Sequence, residues 1–92
     1  MGYQIINPTV SKQDDILYVS MTLRYIDDVT NEVIREINFS DCINWNRADA
    51  QDLLLQKLKE KAKQAKAEID EYLKIKNVLQ SMVDEIKKDL GV

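Results

Sequence analysis

The stretch from Arg47 to Leu90, RADAQDLLLQKLKEKAKQAKAEIDEYLKIKNVLQSMVDEIKKDL, decides how this chain folds, and it contains neither Gly nor Pro. Read in sevens from Leu55, its core positions are Leu55, Leu58, Ala62, Ala65, Ile69, Tyr72, Lys76, Leu79, Val83, Ile86 and Leu90. Lys76 alone among them is neither apolar nor aromatic. A sustained 3-4 spacing without a breaker predicts a coiled-coil helix whose seam is the oligomer interface. At about 1.5 Å per residue the helix is roughly 65 Å long, more than a compact domain of this mass is wide.

The seam changes along its length. Between Lys59 and Glu68 its apolar residues are alanines, which favour helix but bury little surface. Further on, Leu73, Ile75 and Met82 broaden the stripe, which suits more than one neighbouring helix. A rival reading breaks the helix at Asn77, with Leu73 and Val78 pairing across a Schellman end. The uninterrupted heptad phase through residue 76 favours one continuous helix.

Upstream, the pattern switches to a period of two. Ile16 to Ile26 is the clearest strand, with Leu17, Val19, Met21, Leu23 and Tyr25 on one face. Asp27 to Asn31 is a turn cluster, in which Asp and Asn bond nearby amides and tolerate left-handed backbone. Glu32 to Phe39 follows as a second strand carrying Val33, Ile37 and Phe39, with Arg35 interrupting that row. The two strands make an antiparallel hairpin. Tyr3 to Ile6 is an edge-strand candidate that ends at Pro8, and Ser11 to Asp15 reads as a loop.

Ser40 to Asn46 carries the chain into the helix, with Asn46 as N-cap and Trp45 stapled against Ala50. A hairpin alone is marginal in water, so its apolar face needs a cover. The expected cover is the start of the helix, with Trp45, Leu53 and Leu54 packing on Leu17, Val19, Met21, Leu23, Val33, Ile37 and Phe39. The fold class is thus α+β in a single domain, residues 1–92. It comprises an N-terminal antiparallel β-hairpin head over 1–45, three-stranded if Tyr3 to Ile6 joins, and one long C-terminal helix with coiled-coil heptads as a stalk over 46–91.

Charge and composition narrow the function. The net charge is −3, from 13 basic and 16 acidic residues. The first 46 residues hold three basic and seven acidic side chains, leaving 10 basic and 9 acidic for the rest. Neither part has the positive field that drives phosphate binding, so nucleic acid is not an expected partner. Lys57, Lys59, Lys61, Lys63 and Lys66 fall on two opposite sides of the helix and read as a solvated exterior. No cofactor is expected. A single cysteine, Cys42, and no histidine leave no disulfide and no thiolate–imidazole metal cluster within one chain. Asp14-Asp15 and Asp27-Asp28 lack calcium-loop spacing and are explained by turn chemistry. Cys42 has no base to activate it, and a hairpin on a rod offers no pocket, so no enzyme activity is expected.

No 18-residue apolar run is present for a membrane span, and the N-terminus lacks the pattern of a signal peptide. The expected location is cytoplasmic, or the virion if the chain is phage-encoded. The expectation is a non-catalytic structural or assembly protein, a homo-oligomer from dimer to tetramer, of an architecture that would suit a phage or virion component. The alternative is a small protein-binding module or inhibitor whose partner is another protein, docked on the helical stripe.

Overall fold

The computed structural model describes residues 2–92. It is a three-stranded antiparallel sheet followed by one long helix, in the order β1 (Tyr3–Gln13), β2 (Ile16–Ile26), β3 (Val33–Asn44) and α1 (Ala50–Leu90). The strands form a meander with β2 central. The molecule measures 67 × 20 × 20 Å, with a radius of gyration of 19.0 Å. A compact chain of this length has a radius of gyration of about 12 Å.

β2 has the bounds its alternation predicts, because every second residue from Leu17 to Tyr25 faces the helix. The other two strands run longer than the sequence suggests. β1 does not stop at Pro8. It passes through a bulge between Ile6 and Thr9, with Asn7 at φ 53°, and pairs with β2 as far as Gln13. An edge strand tolerates this, since the amide that Pro8 lacks has no ladder partner to lose. The supposed loop from Ser11 to Asp15 is therefore strand up to Gln13, closed by a tight turn at Asp14-Asp15 with Asp14 at φ 53°.

β3 likewise continues past Phe39 to Asn44, because Asp41 and Ile43 pair with Val19 and Leu17. Between β2 and β3 the expected turn chemistry is present. Asp27 Oδ1 accepts from the amides of Val29 (2.8 Å) and Thr30 (3.2 Å), and Asn31 lies at φ 59°.

The helix begins at Ala50 rather than at Asn46. The chain there is still tied to the sheet, since Trp45 N–H donates to the Asp15 carbonyl (2.7 Å) and Asn46 N–H to Asn44 Oδ1 (3.0 Å). Asp49 occupies the N-cap without a side-chain capping bond, and its carboxylate is instead gripped by Arg47. From Ala50 the helix runs 41 residues without interruption, so the rival break at Asn77 does not occur. The Schellman end lies at Gly91 (φ 72°), where the amides of Gly91 and Val92 donate to the carbonyls of Lys88 and Lys87. Lys87 and Lys88 in the last turn also oppose the negative helix end.

The core lies between the helix and the sheet. Leu23, Phe39, Ala65 and Ile69 form its main cluster, with Tyr3, Met21, Tyr25, Ile37, Leu58, Ala62 and Leu73 packed around it. A second cluster of Ile43, Ala50 and Leu54 is ringed by Leu17, Val19, Leu53 and Leu58. The expected head–helix packing is thus largely present, with two exceptions. Trp45 is 41% exposed and Val33 48% exposed, and neither joins a cluster. Trp45 sits in the turn before the helix rather than over Ala50, which Ile43 covers instead. Val33 begins β3 just beyond a register irregularity at Tyr25/Ile26, near the end of the sheet.

On the opposite face the sheet is polar. Thr9 bonds Ser20, Thr22 bonds Asn38, and Arg24 bonds Glu36.

Ile69 is fully buried, whereas Ile75, six residues along the same helix, is 59% exposed. Ile69→Ala is expected to lower unfolding free energy by about 2–5 kcal/mol, through lost transfer energy and a residual cavity. Ile75→Ala is expected to cost the isolated chain less than about 1 kcal/mol. Urea denaturation of both variants at low protein concentration checks the pair.

Candidate interaction surface

The helix has two faces that serve different purposes. Over its first half, Leu54, Leu58, Ala62, Ala65, Ile69 and Leu73 face the sheet. Four of these, Leu58, Ala62, Ala65 and Ile69, are heptad positions that the sequence assigns to contact between helices. They are instead covered within the chain. The alanines around residue 65 let the helix sit close to β3, and the seam there is close-packed against a strand.

The attachment has an electrostatic component that the sequence reading misses. Asp41 lies on the helix-facing row of β3. Lys57 Nζ is 3.1 Å from its Oδ1 and Lys61 Nζ 3.5 Å from its Oδ2. The same two lysines donate to main-chain carbonyls of β3, Lys57 to Cys42 (2.8 Å) and Lys61 to Ser40 (2.6 Å). Burial acts to raise the Asp41 pKa, but the Cys42 amide and then the two lysines outweigh it and hold the carboxyl below its ordinary range.

A second latch lies nearer the middle of the helix. The Tyr3 hydroxyl and Lys66 Nζ both donate to Asp70, and Lys66 also lies 5.1 Å over the Tyr3 ring. Burial, then the Asp70 carboxylate, pushes the Tyr3 hydroxyl above its ordinary pKa.

Lys57 and Lys61 do share one side of the helix, as their spacing requires. They clamp the sheet edge rather than forming a solvated exterior. With Lys66 bound to Asp70, three of the five lysines in this stretch already hold carboxylates. Arg35, the charge that interrupts the apolar row of β3, stacks 4.9 Å over the Tyr72 ring. It thereby covers part of the last aromatic residue before the helix leaves the sheet.

Beyond Leu73 the helix continues for 17 residues, about 25 Å, with no sheet beside it. Ile75, Val78, Leu79, Met82, Ile86 and Leu90 are each between 55% and 69% exposed. Of the remaining predicted interface residues, Leu55 is half exposed, Tyr72 is 37% exposed, Lys76 is exposed, and Val83 is partly covered by its own helix.

At about 100° per residue the exposed stripe is turned by roughly a quarter turn from the sheet-facing line. Extended past Leu73, that line would pass through Lys76, Gln80, Val83 and Lys87, which are mostly polar. The apolar surface of the distal half therefore belongs to a second face. Contiguous exposed apolar residues on an elongated chain are the mark of a surface that binds a partner.

Among the described residues no group of three or more His, Cys, Asp or Glu is placed to hold a metal ion, and no helix is long and apolar enough to cross a membrane. Cys42 is a free, half-buried thiol on the polar sheet face. The hollow beside it is lined by Thr9, Ser11, Tyr18, Ser20 and Ser40.

Because the folded pKa of Asp41 is depressed, its ionic contribution is complete above the unfolded aspartate value of 3.8. It is lost as pH falls through the lower folded value. Asp41→Asn is expected to destabilise the fold at neutral pH, with a penalty that shrinks as the pH is lowered from neutral through and below 3.8. Paired denaturation curves for the native chain and the variant across that range check the sign. A penalty independent of pH would count against the clamp.

Comparison with protein-family models, with curated proteins and with solved structures finds no match to this chain.

Proposed function

We propose that this chain is a non-catalytic assembly protein that self-associates through the distal half of α1 and carries its sheet as a head at one end. The observation that supports this reading is the uncovered stripe from Ile75 to Leu90 on a helix that outruns its own sheet. Fully burying an aliphatic side chain is worth about 1.5–3 kcal/mol, and each of these is roughly half exposed. Covering one is therefore worth about 1 kcal/mol, and six lie together. A helix turn that needed only solubility would carry polar residues at these positions, as it does at Asn77, Gln80, Ser81 and Asp84.

The same stripe suits the second reading, a small binding module or inhibitor whose partner is another protein. The two differ in what the pure chain does alone. A role in a phage or other virion fits the assembly reading by architecture only.

Light scattering over a dilution series is expected to show a mass above the 10.7 kDa of one chain, falling toward it on dilution. Leu79→Asp and Ile86→Asp each place a carboxylate in the stripe and are expected to hold the chain at monomer mass, with helical circular dichroism retained. A native chain that is monomeric at every concentration would remove self-association and leave the partner-binding reading.

A further inference from the structure

We infer that the copies pair in parallel and in register, with both heads at one end; this deepens the self-association reading and rests on it. The occupant of the stripe is a second copy of this chain, and the charges that border the stripe favour that copy in parallel.

Five exposed apolar residues of the distal helix define a seam, with the exposed Val78 and Leu90 at its borders. Tyr72, Ile75, Leu79, Met82 and Ile86 follow one another at alternating spacings of three and four, the spacing of residues that meet along two supercoiled helices. The next position in that series is Asp89, which ends the seam, and the preceding one is Glu68, which begins it. This seam leaves Lys76 on the rim. The heptad phase counted from Leu55 would instead bring Lys76 of each copy together in the interior, an unfavourable meeting of like charges.

The rim positions on either side of the seam differ in sign. On one side lie Lys76, Val83 and Leu90; on the other lie Glu71, Val78 and Glu85. In parallel helices the second side of one copy faces the first side of the other, five residues further on. That sets Glu71 against Lys76 of the second copy, Val78 against Val83, and Glu85 against Leu90, with no like charges opposed.

In antiparallel helices each side faces its own kind. Lys76 would then meet Val83, Leu90 or another Lys76, and Glu71 would meet Val78, Glu85 or another Glu71. Opposite charges meet only in the parallel arrangement. Among the described residues neither Glu71 nor Lys76 is engaged in an ion pair within its own chain.

The fold leaves room for this. The middle of the sheet lies about a quarter turn around the helix from the seam; the outer edge of β3, which Lys57 and Lys61 hold, comes nearest to it, and from Ile75 onward the seam runs clear of the sheet. Arg35 stacks on Tyr72 at the point where the seam meets the head.

Crosslinking reads the orientation directly. In the full chain with Cys42→Ser, the variants Ile75→Cys and Ile86→Cys are oxidised each alone and also as an equimolar mixture, at a concentration where the uncrosslinked mass is above monomer. Parallel pairing yields covalent dimers from each variant alone. Antiparallel pairing sets residue 75 opposite residue 86, so the mixture yields the mixed dimer while each variant alone stays uncrosslinked. That result overturns the inference and leaves self-association standing. A chain that is monomeric throughout the dilution series removes both.

Charge exchange gives an independent readout. Glu71→Lys and Lys76→Glu are each expected to weaken association by about 3- to 10-fold, as like charges replace an ion pair on both sides of the seam. The double exchange is expected to restore it to within about twofold. A double variant no tighter than the single ones overturns the pairing of Glu71 with Lys76.

Discussion

The packing of Ala65 and Ile69 onto Leu23 and Phe39 is the contact on which the rest of the molecule depends. An uncovered sheet face leaves Leu23 and Phe39 in water, which is unfavourable, and a lone helix gains little stability by itself. Each supplies what the other lacks. The small side chain at residue 65 lets the helix axis approach β3, and the fully buried Ile69 fills the space between β2 and β3. Once this junction forms, the direction of the helix relative to the strands is set. The distal half is then carried well clear of the head.

The lysine clamp explains how such a sheet avoids pairing through its edges. β3 has no strand on its outer side, and a free edge is a template for association between chains. Lys57 and Lys61 take up the Cys42 and Ser40 carbonyls while holding Asp41, so part of that edge is already bonded. β1, the other edge, is broken by the Asn7-Pro8 bulge. Both devices discourage strand-to-strand contact and leave the distal helix as the main exposed apolar surface.

What the sequence made legible follows from which signals are local. The alternation from Leu17 to Tyr25 located β2 to the residue, because a strand with one buried face must alternate. The absence of Gly and Pro from Arg47 to Leu90 identified one long helix. The second half of β1 was not legible, since Thr9 to Gln13 carry almost no apolar residues and are held mainly by backbone pairing to β2. The end of β3 was hidden by Asp41, a charge on a buried row whose partners lie 16 and 20 residues downstream. Heptad counting found the spacing of apolar positions but was silent on what covers them. Four of the eleven counted seam positions are covered by the chain's own sheet.

The quarter turn between the two faces of α1 carries the argument about assembly further than the exposed area does. If the stalk were merely a helix longer than its sheet, the sheet-facing line would stay apolar to the end and longer strands would cover it. It does not: past Leu73 that line passes through Lys76, Gln80, Val83 and Lys87, only one of them apolar, while other apolar residues shift to Ile75, Leu79, Met82 and Ile86. A helix surface rotates its apolar stripe when the neighbour changes side. The sheet approaches the proximal half from one direction, and whatever covers the distal half must approach from another. A second copy placed alongside the distal helix would satisfy this, whereas an extension of the existing sheet would meet Lys76, Gln80, Val83 and Lys87, which are mostly polar.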